Sequence, residues 1–356
     1  MAPLAATIAA GVAVRVGIAI ARAGSERRSA RMSGPDPRLG LKHDEASAEG
    51  LRRMLLAQAD LAIGSLESTG TREQRERAVH ETRKAIKRIR ALLRLLREEL
   101  GERLYARENA ALRELTGELA GARDAEVMLA TFEKLTSKAP KRLRRGRGVH
   151  RLRKALEAEQ ERARRELFDG EAKRQRAIQE LTAFRARAST WSIDPSGRSL
   201  ERSTRRLYEQ GRRRYRRARQ GKRPHTTRMH EWRKRVKDLR YACEALRRER
   251  SPSSGFDRSG TSKEARWLQR TAERADELSE LLGQEHDLAV LEAWIRKPVV
   301  RDGSDVVSVG RRSRKELLKL IGKRRQKLRA RALEKGKRLY RHSGKQFCGR
   351  LRAARR

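Results

Sequence analysis

The sequence has few of the residues that characterise several common classes of protein. Its 356 residues include 2 Cys, Cys243 and Cys348, which is too few for a disulfide framework, and their spacing is not that of metal ligands. Both cysteines are consistent with a reducing compartment, in which they would serve as small apolar side chains. Aromatic residues make up 4% of the chain and Pro numbers 8. With helical periodicity over long stretches, this composition excludes collagen-like and proline-rich disordered chains and disfavours a β-rich fold.

A hydrophobic run long enough to span a bilayer is also missing. Residues 4–23 are mostly apolar, but Arg15 interrupts them, and no basic stretch precedes them as in a secretory signal. A short interfacial helix and a translation start at Met32 both stay open for this segment. Residues 1–41 are interpreted as an N-terminal apolar segment and linker outside the fold. We expect no stable membrane span and a cytoplasmic location.

Acidic residues are outnumbered by basic ones throughout the chain. Lys plus Arg number 90 against 46 Asp plus Glu, which gives a formal net charge of +44. A compact chain with this charge repels itself, and the repulsion is relieved when a polyanion binds. The composition therefore predicts a protein with a polyanionic partner.

The chain after residue 42 contains one motif twice. Residues 80–90 read HETRKAIKRIR and residues 230–240 read HEWRKRVKDLR, with six of eleven positions identical. A second matched piece follows each motif, LAGARD at 119–124 and LLGQEHD at 281–287. The domain at 42–350 is therefore predicted to consist of two repeat halves, 42–190 and 199–350. We expect an all-α fold in which the halves are four-helix-bundle-type units related by a pseudo-twofold axis.

Helical periodicity and capping signals predict the positions of the helices. Residues 71–74 read TREQ, a capping-box start for a helix that Gly101 should end near residue 100. The other predicted helices cover about 43–68, 102–121, 123–136, 148–168, 170–188, 199–220, 225–250, 262–283, 285–297, 311–333 and 336–353.

Each copy of the motif places its cations along one face of a helix. At 3.6 residues per turn, apolar residues that include Trp232 form the opposite stripe and are predicted to be core. Neighbours along the basic face all carry the same charge, which destabilises a helix unless a bound polyanion neutralises it. The alternative is a solvated basic face. The two rows are His80, Arg83, Lys84, Lys87, Arg90 and Arg94 in the first half, and His230, Arg233, Lys234, Lys237 and Arg240 in the second.

These doubled rows, with Tyr241 and the paired turns, resemble the CHAD domain, the conserved histidine α-helical domain. The resemblance covers about residues 43–350 and implies two helical bundles with a basic groove or pore between them that binds inorganic polyphosphate. Members of the family are often associated with polyphosphate granules. The resemblance assigns polyphosphate binding to both rows, with Asp238 in place of Arg88 in the second copy.

Two further residues are predicted as secondary contacts to the ligand, Arg123 and His286. Each precedes an aspartate, Asp124 or Asp287, shortly after a glycine. Two interpretations of these aspartates stay open. They either cap the start of a new helix or orient the cations of the rows.

The predicted function is non-enzymatic binding of inorganic polyphosphate. Arginine forks onto phosphate oxygens and lysine adds point charge, whereas base recognition would need aromatic platforms that the rows lack. The chain has no phosphate-binding GxxxxGK loop and no HExxH zinc motif, so we expect no enzymatic activity, no metal and no cofactor. The alternative is a basic helical protein that binds DNA or RNA without sequence specificity.

Overall fold

The computed structural model divides into two compact units, Met1–Asp36 and Pro37–Arg356. It describes residues 38–353 except for 43, 69, 120, 169–170, 222–224, 249–262, 298, 301–305 and 308–310. The predictions for the N-terminal apolar segment lie outside the described residues. None of the described helices is long and apolar enough to cross a membrane.

The second unit is built from helices, which confirms the predicted all-α class. A pair of two-residue antiparallel strands, β1 (Val299–Val300) and β2 (Val306–Val307), is the exception within the described ranges. The helices are α1 (Ser47–Glu67), α2 (Arg72–Leu95), α3 (Arg97–Glu118), α4 (Gly121–Ser137), α5 (Lys141–Arg144), α6 (Arg147–Phe168), α7 (Glu171–Thr190), α8 (Gly197–Arg219), α9 (Thr226–Ala245), α10 (Lys263–Arg296), α11 (Arg311–Leu339) and α12 (Gly344–Ala353).

The helix that carries the first motif begins where its capping signal predicts but ends before the predicted boundary at Gly101. The Gln74 amide donates to Thr71 Oγ1 over 3.4 Å, and the Thr71 amide donates to Gln74 Oε1 over 2.6 Å, which completes the capping box. Helix α2 breaks at Leu96, one turn before Gly101. Gly101 has a φ of +73°, in the left-handed region that favours glycine, and bends α3 near its start.

Most of the helix packing occurs within two sets, α1 to α7 and α8 to α12. In the first set α1 packs against α2 and α7, α2 packs against α3, and α4 packs against α6. In the second set α9 packs against α8 and α10, while α11 packs on α10 and α12 on α8. The motif helices α2 and α9 contact each other, and α4 contacts α10. One core runs through both sets, with Trp232 and Cys243 fully buried as predicted. The pseudo-twofold relation between the sets stays a prediction.

The predicted start of the fold at residue 42 is too late. Leu39 and Leu41 are buried in the core, and the Leu41 amide donates to the Arg247 carbonyl over 2.8 Å. Leu41 also forms a parallel bridge with Arg248. The segment before α1 therefore belongs to the folded unit, because its leucines cover apolar surface there.

Two of the predicted helix boundaries, each next to a glycine, are wrong. The predicted break at Gly283 is absent, and α10 runs without interruption from Lys263 to Arg296. The predicted break near residue 335 is absent too, since α11 continues through Gly336 to Leu339. A Cβ on Gly336 would lie 2.6 Å from Trp232 Cζ2, so this glycine is needed for packing against the ring. Burial against neighbouring helices outweighs the weak helix propensity of glycine at both positions.

Candidate polyanion-binding site

The two motif helices bury one stripe and leave the basic rows beside it, as the sequence predicts. Ile86 and Ile89 of α2 and Val236 and Leu239 of α9 are all fully buried. His80 and Lys87 of the first row are exposed, and most of the remaining row side chains are half-buried. Because α2 and α9 pack against each other, the buried stripes hold the two rows at fixed positions.

The two rows approach each other around Lys237. Burial, together with the charges of Arg233, Lys87 and Arg240, lowers the pKa of Lys237 to about 7. Lys87 lies on α2 and the other two cations on α9, so positive charges from both rows act on one ammonium group. The structure thus brings the rows together rather than directing them to separate surfaces.

Asp124 makes a second link between the rows. It lies in the first turn of α4 and pairs with Arg83 of the first row, with 3.5 Å between Oδ1 and Nη2. Its charge also acts on Arg233 of the second row, although burial dominates and lowers the pKa of Arg233. These contacts favour the interpretation in which Asp124 orients the cations.

The predicted secondary contact His286 lies directly against His230. Their ring centroids are 4.4 Å apart and the rings are tilted by 32°. Burial, followed by the charges of Arg233 and other cations, lowers the pKa of His286 to about 4. Burial and Lys234 also lower the pKa of His230. Burial thus favours the neutral form of both rings, in which each can donate one N–H to an anion without adding charge.

Arg233 lies at the centre of these groups. Its Nε is buried and has no hydrogen-bond partner among the described residues, and the same holds for His230 Nδ1. A Cβ on Gly283 would lie 3.9 Å from the Arg233 Nε, so the guanidinium lies over the backbone of α10 at that glycine. Such unsatisfied buried polar atoms are costly, and an anion bound here would supply acceptors for them.

Comparison with known proteins identifies the family to which the chain belongs. A family model described as the CHAD domain matches residues 56–296, which is more than half of the chain. The chain belongs to the CHAD domain family. No curated protein sequence matches it. Among solved structures, PptA from Streptomyces chartreusis has 17% identity and a TM-score of 0.54, and covers 84% of this chain and 100% of its own. The CHAD domain from the plant Ricinus communis has 18% identity and a TM-score of 0.49, and covers 91% of this chain and 98% of its own.

In this CHAD domain, several cations of the predicted rows form ion pairs with Asp or Glu side chains. Arg94 lies 3.3 Å from Asp238 Oδ1, and Arg240 pairs with Glu244 at 2.6 Å and with Asp276. The exposed ends of the rows are paired as well, Lys84 with Glu81 at 3.1 Å and Lys234 with Glu231 at 2.8 Å. These ion pairs hold the side chains in place, and the contacts of both rows with a ligand stay predictions.

Arg90 is restrained differently from its counterpart Arg240. Its Nε donates to Asn109 Oδ1 over 3.0 Å, and burial together with the charge of Arg94 lowers its pKa to about 10. Arg123 lies in the first turn of α4, and its side chain is outside the described part of the chain.

Asp238 has a role that the sequence did not reveal, and Asp287 separates the two interpretations offered for it. Asp238 is buried and forms ion pairs with Arg94 of α2 and Arg235 of α9, so the position with one cation fewer is an ion-pair bridge between the motif helices. Asp287 lies inside α10, so the capping interpretation is wrong for it. Its negative charge partly opposes the lowered pKa values of Arg233 and Lys237.

A groove beside the rows adds cations that the sequence analysis missed. It has a volume of about 1050 Å³, lies between α4, α10 and α11, and includes Asp287 in its lining. Its basic residues are Lys134, Lys138, Lys323, Arg324 and Lys327. The four-residue spacing of Lys134 with Lys138 and of Lys323 with Lys327 is a signal of a shared helix face. Only the packing of α4 and α11 against α10 indicates that these faces meet. No group of His, Cys, Asp and Glu suited to a metal ion occurs among the described residues.

Proposed function

We propose that this CHAD domain binds inorganic polyphosphate where its two basic rows meet, and that it does not catalyse a reaction on the polymer. The main support for the proposal is that the charge of Lys87 on α2 contributes to the lowered pKa of Lys237 on α9, so that like charges from separate helices lie close together. The repulsion between these cations is unfavourable in the unliganded protein, and the negative charges of a bound polyphosphate relieve it. Arg233 Nε is a donor in the same place that lacks a partner among the described residues.

The chemistry of the site favours phosphate over nucleobases. Tyr241 is the aromatic residue next to the second row, and the Arg240 guanidinium lies over its ring at 5.5 Å from the centroid. Burial raises the pKa of Tyr241, which is consistent with a packed position. A base would need a free aromatic face for stacking, whereas polyphosphate needs only cations and N–H donors. The wider proposal includes a basic pore between pseudo-twofold-related halves and association with polyphosphate granules.

The test is a titration of the purified chain with long-chain polyphosphate, comparing wild type with Lys87→Glu/Lys237→Glu. We expect the double variant to bind at least about a hundredfold more weakly, because two charge-assisted contacts become repulsions. The matched control is Lys173→Glu/Lys345→Glu, which changes the net charge equally at exposed positions on α7 and α12. Its affinity should stay within about threefold of wild type at moderate salt. Wild-type binding by the first variant would refute the site.

Two further measurements separate the alternatives. RNA added at equal phosphate concentration should fail to displace bound polyphosphate, and displacement would make nucleic acid the preferred ligand. The length of the polymer should be unchanged after incubation with the protein. Shortening of the chains would show an enzymatic activity on phosphate chains and contradict the non-enzymatic proposal.

A further inference from the structure

A second basic pocket lies outside the two rows, at the start of helix α6. It has a volume of about 370 Å³, near the lower end of the range for small-molecule sites. Its polar lining consists of Arg144, Arg145, Arg147, Arg151, Arg153 and His150. None of these residues belongs to the motif helices α2 and α9, so the pocket is separate from the site proposed above.

Three arginines of this pocket, Arg144, Arg145 and Arg147, lack within the described residues the carboxylates that pair with arginines elsewhere on the surface. Further along α6 Arg162 pairs with Glu159 at 2.6 Å, and on α7 Arg174 pairs with Glu171 at 2.7 Å. No Asp or Glu lies in the sequence between Glu133 and Glu157. Within the described residues, Arg144, Arg145 and Arg147 form no ion pair. Like charges therefore converge here, and the surrounding stretch of sequence supplies no counter-charge.

The pocket also contains a donor with no acceptor. The Nε of Arg153 is buried and has no hydrogen-bond partner among the described residues. Burying a guanidinium N–H without an acceptor is costly, and a small anion in the pocket would remove the penalty.

The position of these cations on α6 is unfavourable in the free protein. Arg147 and His150 lie in the first turn of this 22-residue helix, and that turn contains no acidic residue. The positive end of the helix dipole disfavours cations there and favours an anion. An anion bound among the arginines would therefore be stabilised by the side chains and by the helix end together.

We infer that this pocket is a second anion site, which binds a compact and multiply charged phosphate compound of the size of tripolyphosphate. Arginine forks bind phosphate oxygens in pairs of charge-assisted hydrogen bonds. His150 is the one ring in the lining, so the site recognises phosphate groups rather than a base. The inference goes beyond the proposed function and does not depend on it.

The experiment is a calorimetric titration with tripolyphosphate, carried out on the full chain that carries Lys87→Glu/Lys237→Glu. This background weakens the first site and leaves the arginine pocket intact, so a failure of one proposal is distinguishable from a failure of the other. Adding Arg145→Glu/Arg147→Glu should weaken the remaining binding by about tenfold or more. Both side chains are exposed, so the fold should be retained, which circular dichroism checks.

The matched control is Arg142→Glu/Lys154→Glu on the same background. These exposed residues lie on α5 and α6 but do not line the pocket, and the change of net charge is identical. We expect a loss of less than about threefold. Equal losses in the two variants would mean a general effect of charge and overturn the inference, as would unchanged binding in the pocket variant. If the Glu variant fails to fold, Arg145→Gln/Arg147→Gln makes the same comparison with a smaller loss.

Adenosine triphosphate identifies which part of a ligand the pocket recognises. It should bind with an affinity similar to that of tripolyphosphate, because the lining offers the base no stacking surface. Much tighter binding of the nucleotide would overturn the assignment to a compact phosphate compound.

Discussion

Lys237 is the residue whose charge depends most on whether the site is filled. Its pKa of about 7 in the free protein reflects burial and three neighbouring cations, against the opposing charge of Asp287 on α10. A bound polyphosphate adds many negative charges and raises this pKa, so the complex takes up protons at neutral pH. Protonation of Lys237 and binding of polyphosphate therefore favour each other.

We expect the affinity for polyphosphate to fall as the pH rises through about 7 and above, because free Lys237 becomes neutral there. Titrations at constant ionic strength across this range measure the effect. The matched variant is Lys237→Arg, since arginine stays protonated and should flatten the dependence. A wild-type affinity that is constant with pH would show that Lys237 is charged in the free protein.

The stability of the free chain should have the opposite pH dependence. The pKa of Lys237 is lowered in the folded state from 10.5 to about 7, so the unfolded chain binds more protons between these values. The free energy of unfolding then rises with pH across that window. As the pH rises, deprotonation of Lys237 should therefore weaken polyphosphate binding and increase the stability of the free protein.

At the scale of elements, helices α2 and α9 carry matching rows but hold them with different partners. Asp238 on α9 reaches Arg94 on α2, and this ion pair connects the two motif helices. At the equivalent position of α2, Arg88 donates to Gln58 Oε1 on α1 over 3.3 Å. The two motif helices therefore have matching basic faces, but only α9 contributes a carboxylate, that of Asp238, to the ion pair that connects them.

Asp238→Arg would restore the cation that the first copy has at this position. We expect the variant to lose about 3 kcal/mol of unfolding free energy, because the change places a third cation beside the half-buried Arg94 and Arg235 at a buried position. Denaturant unfolding measures the loss. The control is Asp194→Arg at an exposed position, which should change stability by less than about 0.5 kcal/mol. A stable variant that binds polyphosphate more tightly would show that Asp238 is not a structural bridge.

The sequence predicts helices and faces better than it predicts partners. The helical period assigns Ile86, Ile89, Val236 and Leu239 to the core because a single helix determines that pattern. The partners of Arg240 could not be predicted in the same way, since Asp276 lies on another helix and its approach depends on how α9 packs against α10.

The contact of His230 with His286 also depends on tertiary packing. His286 was predicted only as a secondary contact, at the start of a separate helix after Gly283. The uninterrupted α10 instead places it at a middle turn, opposite α9. Local signals such as a glycine indicate a possible helix end, but burial decides whether the helix continues.

At the scale of the whole molecule, the net charge of +44 makes the folded state sensitive to polyanions. A ligand that binds the folded chain at about a hundred times its Kd adds about 2.7 kcal/mol of stability. For a chain of this size that corresponds to a rise in Tm of about 4 °C. A thermal melt with long-chain polyphosphate measures the shift, which should shrink as salt increases. Polyphosphate that leaves the Tm unchanged at low salt would contradict preferential binding to the folded chain.

The leucines before α1 set a limit on how far the chain can be trimmed for crystallisation or labelling. Leu39 and Leu41 are buried, and the Leu41 amide is the donor for the Arg247 carbonyl near the end of α9. An expression boundary at Lys42 would uncover apolar surface and leave that carbonyl without its donor, both of which favour aggregation. A shortened version of this protein should therefore begin no later than Arg38.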